Sequence, residues 1–121
     1  MSVVLDLKKM DIDTVGVIRI EVYDLNGSTV FSVNTATWTL YDRHGAEVLS
    51  GSGAINNADT DPAGNTIKTV TATIDLNTTD LEEVGMYYLV FDVTLSSGQS
   101  DRCRIPLEVG DMRTPRIRSI R

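Results

Sequence analysis

The sequence predicts an all-β chain folded as a two-sheet antiparallel sandwich of seven to eight short strands, with no long helix and no disulfide. Three observations predict it. Apolar and polar residues alternate with period two in five separate segments. Turn-forming residues recur between those segments at the spacing of roughly 8–12 residues that sandwiches show. The single cysteine, Cys103, cannot close an internal bridge, so the core must hold by apolar packing.

The elements follow in chain order. In VGVIRIEVY, Ile18, Ile20 and Val22 share one face, with Arg19, Glu21 and Tyr23 on the other. In TATWTLYD, Ala36, Trp38 and Leu40 alternate with Thr37, Thr39 and Tyr41. In KTVTATID, Val70, Ala72 and Ile74 alternate with Thr69, Thr71 and Thr73. Tyr87, Leu89, Phe91, Val93 and Leu95 share a face of MYYLVFDVTL, as do Cys103, Ile105, Leu107 and Val109 of RCRIPLEV. One apolar face per strand is what an antiparallel sheet shows when one side packs and the other is wet. Strands are expected near 3–8, 14–23, 28–33, 35–42, 46–50, 66–75, 86–95 and 101–109. Asp24–Gly27 and Asp42–Gly45 read as turns, and Ser96–Gly98 as the tip of a hairpin. Thr79–Glu82 resembles a capping box with room for one helical turn before Gly85. Pro106 lacks an N–H, so its strand is expected at an edge or paired on one side there. Residues 50–65, rich in Gly, Asn, Asp and Ala, read as a long loop.

Composition sets the class. At 121 residues the chain makes one domain and buries a core without help from metal or disulfide. Its longest strongly apolar run without a charge, Val84 to Phe91, is far short of the ~20 residues of a membrane helix. Charges near the start stand where a signal peptide needs its apolar stretch, so export by that route is not expected. Net charge is −6; residues 112–121 carry four arginines and no acid, so residues 1–111 carry −10 (−6 − 4). An acidic body repels nucleic acid, whose binding rests on phosphate neutralisation. We expect residues 1–111 to be the sandwich and 112–121 a basic C-terminal arm. Arg113, Arg116, Arg118 and Arg121 suit an acidic protein surface, and Ile117 and Ile120 suit docking more than solvation; a frayed solubilising end is the alternative.

Candidate chemistry is sparse. Cys103 and His44 form a formal nucleophile–base pair. However, Cys103 falls on an apolar strand face and His44 in a turn. Zinc needs more Cys and His ligands than the chain has. The loop beginning Asp59-Thr-Asp61 places acids like the start of a calcium loop, but Ala63 and Val70 stand where ligands are needed. Glu82 and Glu83 are adjacent acids with no partner His or Arg nearby in sequence. No phosphate-cradling glycine loop, GxSxG or HExxH is present. No cofactor, metal or catalytic group is therefore expected. Tyr41 and Tyr88 lie on outward strand faces and form a possible sugar platform, with Tyr23 a further candidate; ordinary cross-strand packing is the alternative.

One detail narrows the sandwich. Tyr87 follows Gly85 by two in LEEVGMYYL, the place where immunoglobulin-like domains turn between sheets on a tyrosine, and Trp38 stands as their central-strand tryptophan. Leu89 then occupies the position of the missing second cysteine. The predicted core is Trp38, Leu40, Ile74, Tyr87, Leu89, Phe91, Val93, Ile105 and Leu107.

The order of DLNG (24–27), TWTLYDRHG (37–45), GMYYLVFDVTLSSG (85–98) and IPLEV (105–109) resembles the immunoglobulin-like module of tailed-bacteriophage virion structural proteins, including the N-terminal domain of phage baseplate upper proteins. The likeness covers about residues 14–109 and lacks a receptor-binding region after the module. It implies a non-enzymatic structural protein assembled in the host cytoplasm into the virion. Head decoration or the head–tail joint comes first, a tail or baseplate component second. Its partners would be other virion proteins or copies of itself in a symmetric assembly, without nucleic acid or membrane. A carbohydrate-binding sandwich is the alternative.

Overall fold

A computed structural model describes residues 8–11, 15–23, 31–76 and 84–110. Eight strands follow in order: β1 (Lys8–Asp11), β2 (Val15–Val22), β3 (Val33–Tyr41), β4 (Glu47–Ser52), β5 (Ala54–Thr60), β6 (Thr66–Asp75), β7 (Gly85–Leu95) and β8 (Ser100–Gly110). They form a five-stranded sheet, β1-β8-β7-β3-β4, and a three-stranded sheet, β2-β6-β5. Every pairing is antiparallel except β1 with β8, which runs parallel with Lys8 opposite Leu107. This is an all-β, immunoglobulin-like two-sheet sandwich without a disulfide. Among the described residues no helix is long and apolar enough to cross a membrane.

The alternation read from the sequence sets which side of each strand faces inward. All nine predicted core residues are buried, none more than 6 % exposed. Phe91, Leu40, Leu89, Ile74 and Leu107 are fully enclosed between the sheets, and burying such side chains stabilises by ~1.5–3 kcal/mol each. Ile18, Ile20 and Val22 from β2 and Val70 and Ala72 from β6 complete the opposite wall.

The 50–65 segment corrects the sequence reading. Instead of a long loop it is the end of β4, the whole of β5 and a turn at 61–65. β5 is an edge strand, exposed enough to be polar, so it shows no apolar alternation. The chain passes from one sheet to the other at Gly53, whose N–H donates to the Ala36 carbonyl at 2.9 Å. A Cβ there would stand 2.5 Å from Val70 Cγ1 and 3.1 Å from Ala36 Cβ, so only glycine fits the crossing. Asn57 ties β5 back to β3. Its Oδ1 accepts from the Val33 N–H at 2.8 Å and its Nδ2 donates to the Val33 carbonyl at 3.2 Å. These two bonds occupy the Val33 backbone at the start of β3, beside the register shift between Val33 and Thr35 in the β3–β7 pair.

Other boundaries moved less. Of the first strand, expected at 3–8, Lys8 falls in β1 (Lys8–Asp11), and residues 3–7 lie outside the described residues. The strand expected at 28–33 is not separate at its described end: Val33 opens β3, while Phe31 and Ser32 precede it outside any strand. Pro106 lies in β8, which has neighbours on both sides; it stands opposite Tyr88 of β7, and among the described residues the pairing with β1 runs from Leu107 onward. The Asp24–Gly27 turn, the helical turn at 79–82 and Glu82 and Glu83 lie outside the described residues.

Candidate functional site

The outer face of the five-stranded sheet collects side chains that lie far apart in the chain. Register brings Tyr41 of β3 opposite Tyr88 of β7, and Tyr88 opposite Pro106 of β8. One step along, Val90 pairs Thr39 and Arg104; one step further, Asp92 pairs Thr37 and Arg102. The Arg104 guanidinium lies over the Tyr88 ring, 3.8 Å from its centroid. Arg102 Nε donates to Asp92 Oδ1 at 2.7 Å, an exposed pair that holds the guanidinium in its charged form.

The β3–β4 turn stands at the edge of this face. Asp42 Oδ1 accepts the His44 N–H at 2.8 Å and the Ala46 N–H at 2.9 Å, and Gly45 closes the turn at φ 84°. The Ala46 hydrogen bond, joined by that of the His44 N–H, holds the Asp42 carboxyl below its ordinary range. Arg43 Nε donates to His44 Nε2 at 3.4 Å, a long contact on the surface. Between the turn and the strands lies an open groove of about 410 Å³, lined by residues 41–45, Tyr88, Val90 and Arg104.

The structure brings Tyr41 and Tyr88 together and leaves Tyr23 apart, at the exposed end of β2 in the other sheet. It separates Cys103 from His44. Cys103 faces the core opposite Phe91, 3 % exposed, and burial, helped by Asp101, pushes its thiol up to about 11. Such a sulfur stays protonated near neutral pH. Asp59 and Asp61 also have local work. Asp59 accepts from the Thr69 hydroxyl at 2.8 Å and from Arg19 Nη1 at 3.1 Å. Asp61 Oδ1 accepts from the Asn65 and Ala63 N–H groups at 2.8 and 3.0 Å. Among the described residues no group of three or more His, Cys, Asp or Glu side chains could hold a metal. The arm residues Arg113, Arg116, Ile117, Arg118, Ile120 and Arg121 lie outside the described residues.

Two features escaped the sequence reading: the stacking of Arg104 on Tyr88, and the 42–45 turn flanking the tyrosine pair. Arg104 alternates with the inward Cys103 and Ile105 and so faces outward, but its neighbour on β7 depends on pairing register.

The architecture is that of an immunoglobulin-like sandwich with an open groove on the outer face of its larger sheet. No family model matches the chain, and no curated protein does. Among solved structures, the chain is similar to the crystal structure of CopC from Methylosinus trichosporium OB3b, with a TM-score of 0.52 and 14% identity over 90% of this chain and 88% of that one. At that identity the likeness speaks for the β-sandwich fold alone.

Proposed function

We propose that this chain is a non-enzymatic structural protein of a tailed-phage virion, acting through protein–protein contacts in head decoration or at the head–tail joint. A tail or baseplate position is second. The reading rests on the ordered resemblance over residues 14–109 and is supported by one structural observation: polar chemistry sits on the outside. Thr69 is the one buried polar residue among the described residues, and its hydroxyl is taken up by Asp59. A rigid apolar core with recognition left to the outer faces and ends suits a spacer repeated in a symmetric assembly, where many weak contacts add by avidity. The partners are other virion proteins or further copies, with the 112–121 arm latching onto an acidic surface. Deleting 112–121 should leave the thermal midpoint unchanged and abolish incorporation into particles. Full occupancy of the truncated chain in purified particles would refute the arm's role.

The adjacency of Tyr41 and Tyr88 beside a groove favours a second reading, a carbohydrate-binding sandwich. On a glycan array, Tyr41→Ala and Tyr88→Ala should each abolish any binding the native chain shows. A flat response from the native chain would retire this reading.

A further inference from the structure

We infer that the groove between the Asp42–Gly45 turn and Tyr88 binds an acidic sugar unit, a polyhydroxylated ring bearing one carboxylate. The inference rests on the carbohydrate reading and names its ligand class.

Arg104 supplies the first reason. Its guanidinium carbon lies over the Tyr88 ring, 3.8 Å from the centroid, so the cation is held against the ring's negative face while its N–H donors remain available for further bonding. A planar fork of N–H donors matches a carboxylate in a bidentate pair, which a lysine ammonium cannot reproduce. Stacking also restrains the side chain beforehand, so less freedom is lost on binding.

Charge supplies the second. Arg43 and Asp42 are engaged within the turn, the one with His44 Nε2 and the other with two backbone N–H groups, so Arg104 is the cation the groove offers a ligand, while residues 1–111 carry −10. Arg102 is close by but already bonded to Asp92. One guanidinium in an acidic surround favours a single negative group, and the surround repels a polyanion.

The remaining lining separates a sugar from an acidic peptide. Asp42, oriented by the two backbone N–H groups it accepts, repels a second carboxylate but can accept a hydroxyl. The Tyr41 phenol and the His44 ring add further polar partners, and the Tyr41 ring with the buried Val90 gives an apolar floor for a sugar C–H face beside the Arg104–Tyr88 stack. The 410 Å³ space falls within the ~300–1,000 Å³ range of small-ligand sites.

The test uses the full chain, ¹⁵N-labelled, titrated with glucuronate, glucose and acetate, and followed by amide shifts. Glucuronate should move the amides of residues 41–45, 88–90 and 104, with about tenfold weaker responses to glucose and acetate, the loss expected when one charge-assisted bidentate contact is missing. Arg104→Lys, an exposed change whose fold the same spectrum verifies, should weaken glucuronate about tenfold, a larger loss than glucose shows. Equal responses to glucuronate and glucose would overturn the inference while leaving the sugar reading intact. Acetate equalling glucuronate would overturn it as a plain carboxylate site. Shifts with a glutamate-rich peptide and none with any sugar would overturn both inference and reading. An Arg104→Lys protein that binds glucuronate as the native chain does would also overturn it.

Discussion

Trp38 holds the sandwich from the middle of β3, and the sequence provides for it on the neighbouring strand. Gly51 sits opposite it across the β3–β4 pair, and a Cβ at that position would lie 2.8 Å from the indole Cζ2. Trp38→Ala should lower unfolding free energy by ~3–5 kcal/mol, the usual loss for a truncated core tryptophan. Gly51→Ala should cost ~1–3 kcal/mol, because the ring has to shift inside a close-packed core. Urea titration followed by circular dichroism checks both; a neutral Gly51→Ala would mean that β4 yields freely at the sheet edge. Cys103 gives a second residue-scale prediction. With its thiol raised to about 11 and the side chain buried, it should react with a disulfide reagent at pH 8 only slowly in the native chain, and at once in denaturant.

At the scale of elements, turns and edges carry the polar chemistry that the strands leave out. The 61–65 turn hangs on Asp61, whose carboxyl is held below its ordinary value of 3.8 chiefly by the Asn65 N–H. Asp59 is held down chiefly by the Thr69 hydroxyl, and Asp42 chiefly by the Ala46 N–H. A carboxyl whose pKa is lower in the folded chain contributes stability that is complete above the unfolded value and is lost as pH falls through the folded one. The thermal midpoint should therefore be flat on this account above about pH 5 and decline as pH drops below about 4. Asp61→Asn should flatten part of that decline while lowering the midpoint near neutrality, since an amide accepts less strongly than a carboxylate. Differential scanning calorimetry across that range reads both changes. The loop expected at 50–65 failed at this same scale. Its composition is polar because β5 is an edge, and its pairing with β6 depends on Gly53 and Asn57, whose partners Ala36 and Val33 lie about twenty residues upstream.

For the whole molecule, the controlling fact is that its contacts are distant in sequence. β1 pairs with β8, β3 with β7, and β2 with β6, so both sheets close only after most of the chain is in place. Such non-local topology places refolding on the ms–s scale. Stopped-flow dilution from urea should show it in both sheet circular dichroism and Trp38 fluorescence, with the two probes coinciding at equilibrium if the sandwich melts as one unit. A fluorescence transition separated from the loss of sheet would mean that the layers open independently. The same topology explains why so much of the core was readable: wherever a strand is buried on one face, period-two alternation names its inward residues before any pairing is known.

The sequence by itself therefore determined that the chain is a β-sandwich, which faces of its principal strands meet, and that Trp38 and Tyr87 are enclosed while Tyr41 and Tyr88 point outward. Local alternation and turn chemistry are properties of neighbouring residues, and they survive without knowledge of the fold. Only the tertiary structure decided that β5 is a strand, that β1 lies parallel to β8, and that Arg104, Tyr88, Tyr41 and the His44 turn share one groove. Those facts depend on pairing register between segments some twenty to a hundred residues apart in sequence, as the β1–β8 and Asn57–Val33 contacts illustrate, and no local pattern encodes them.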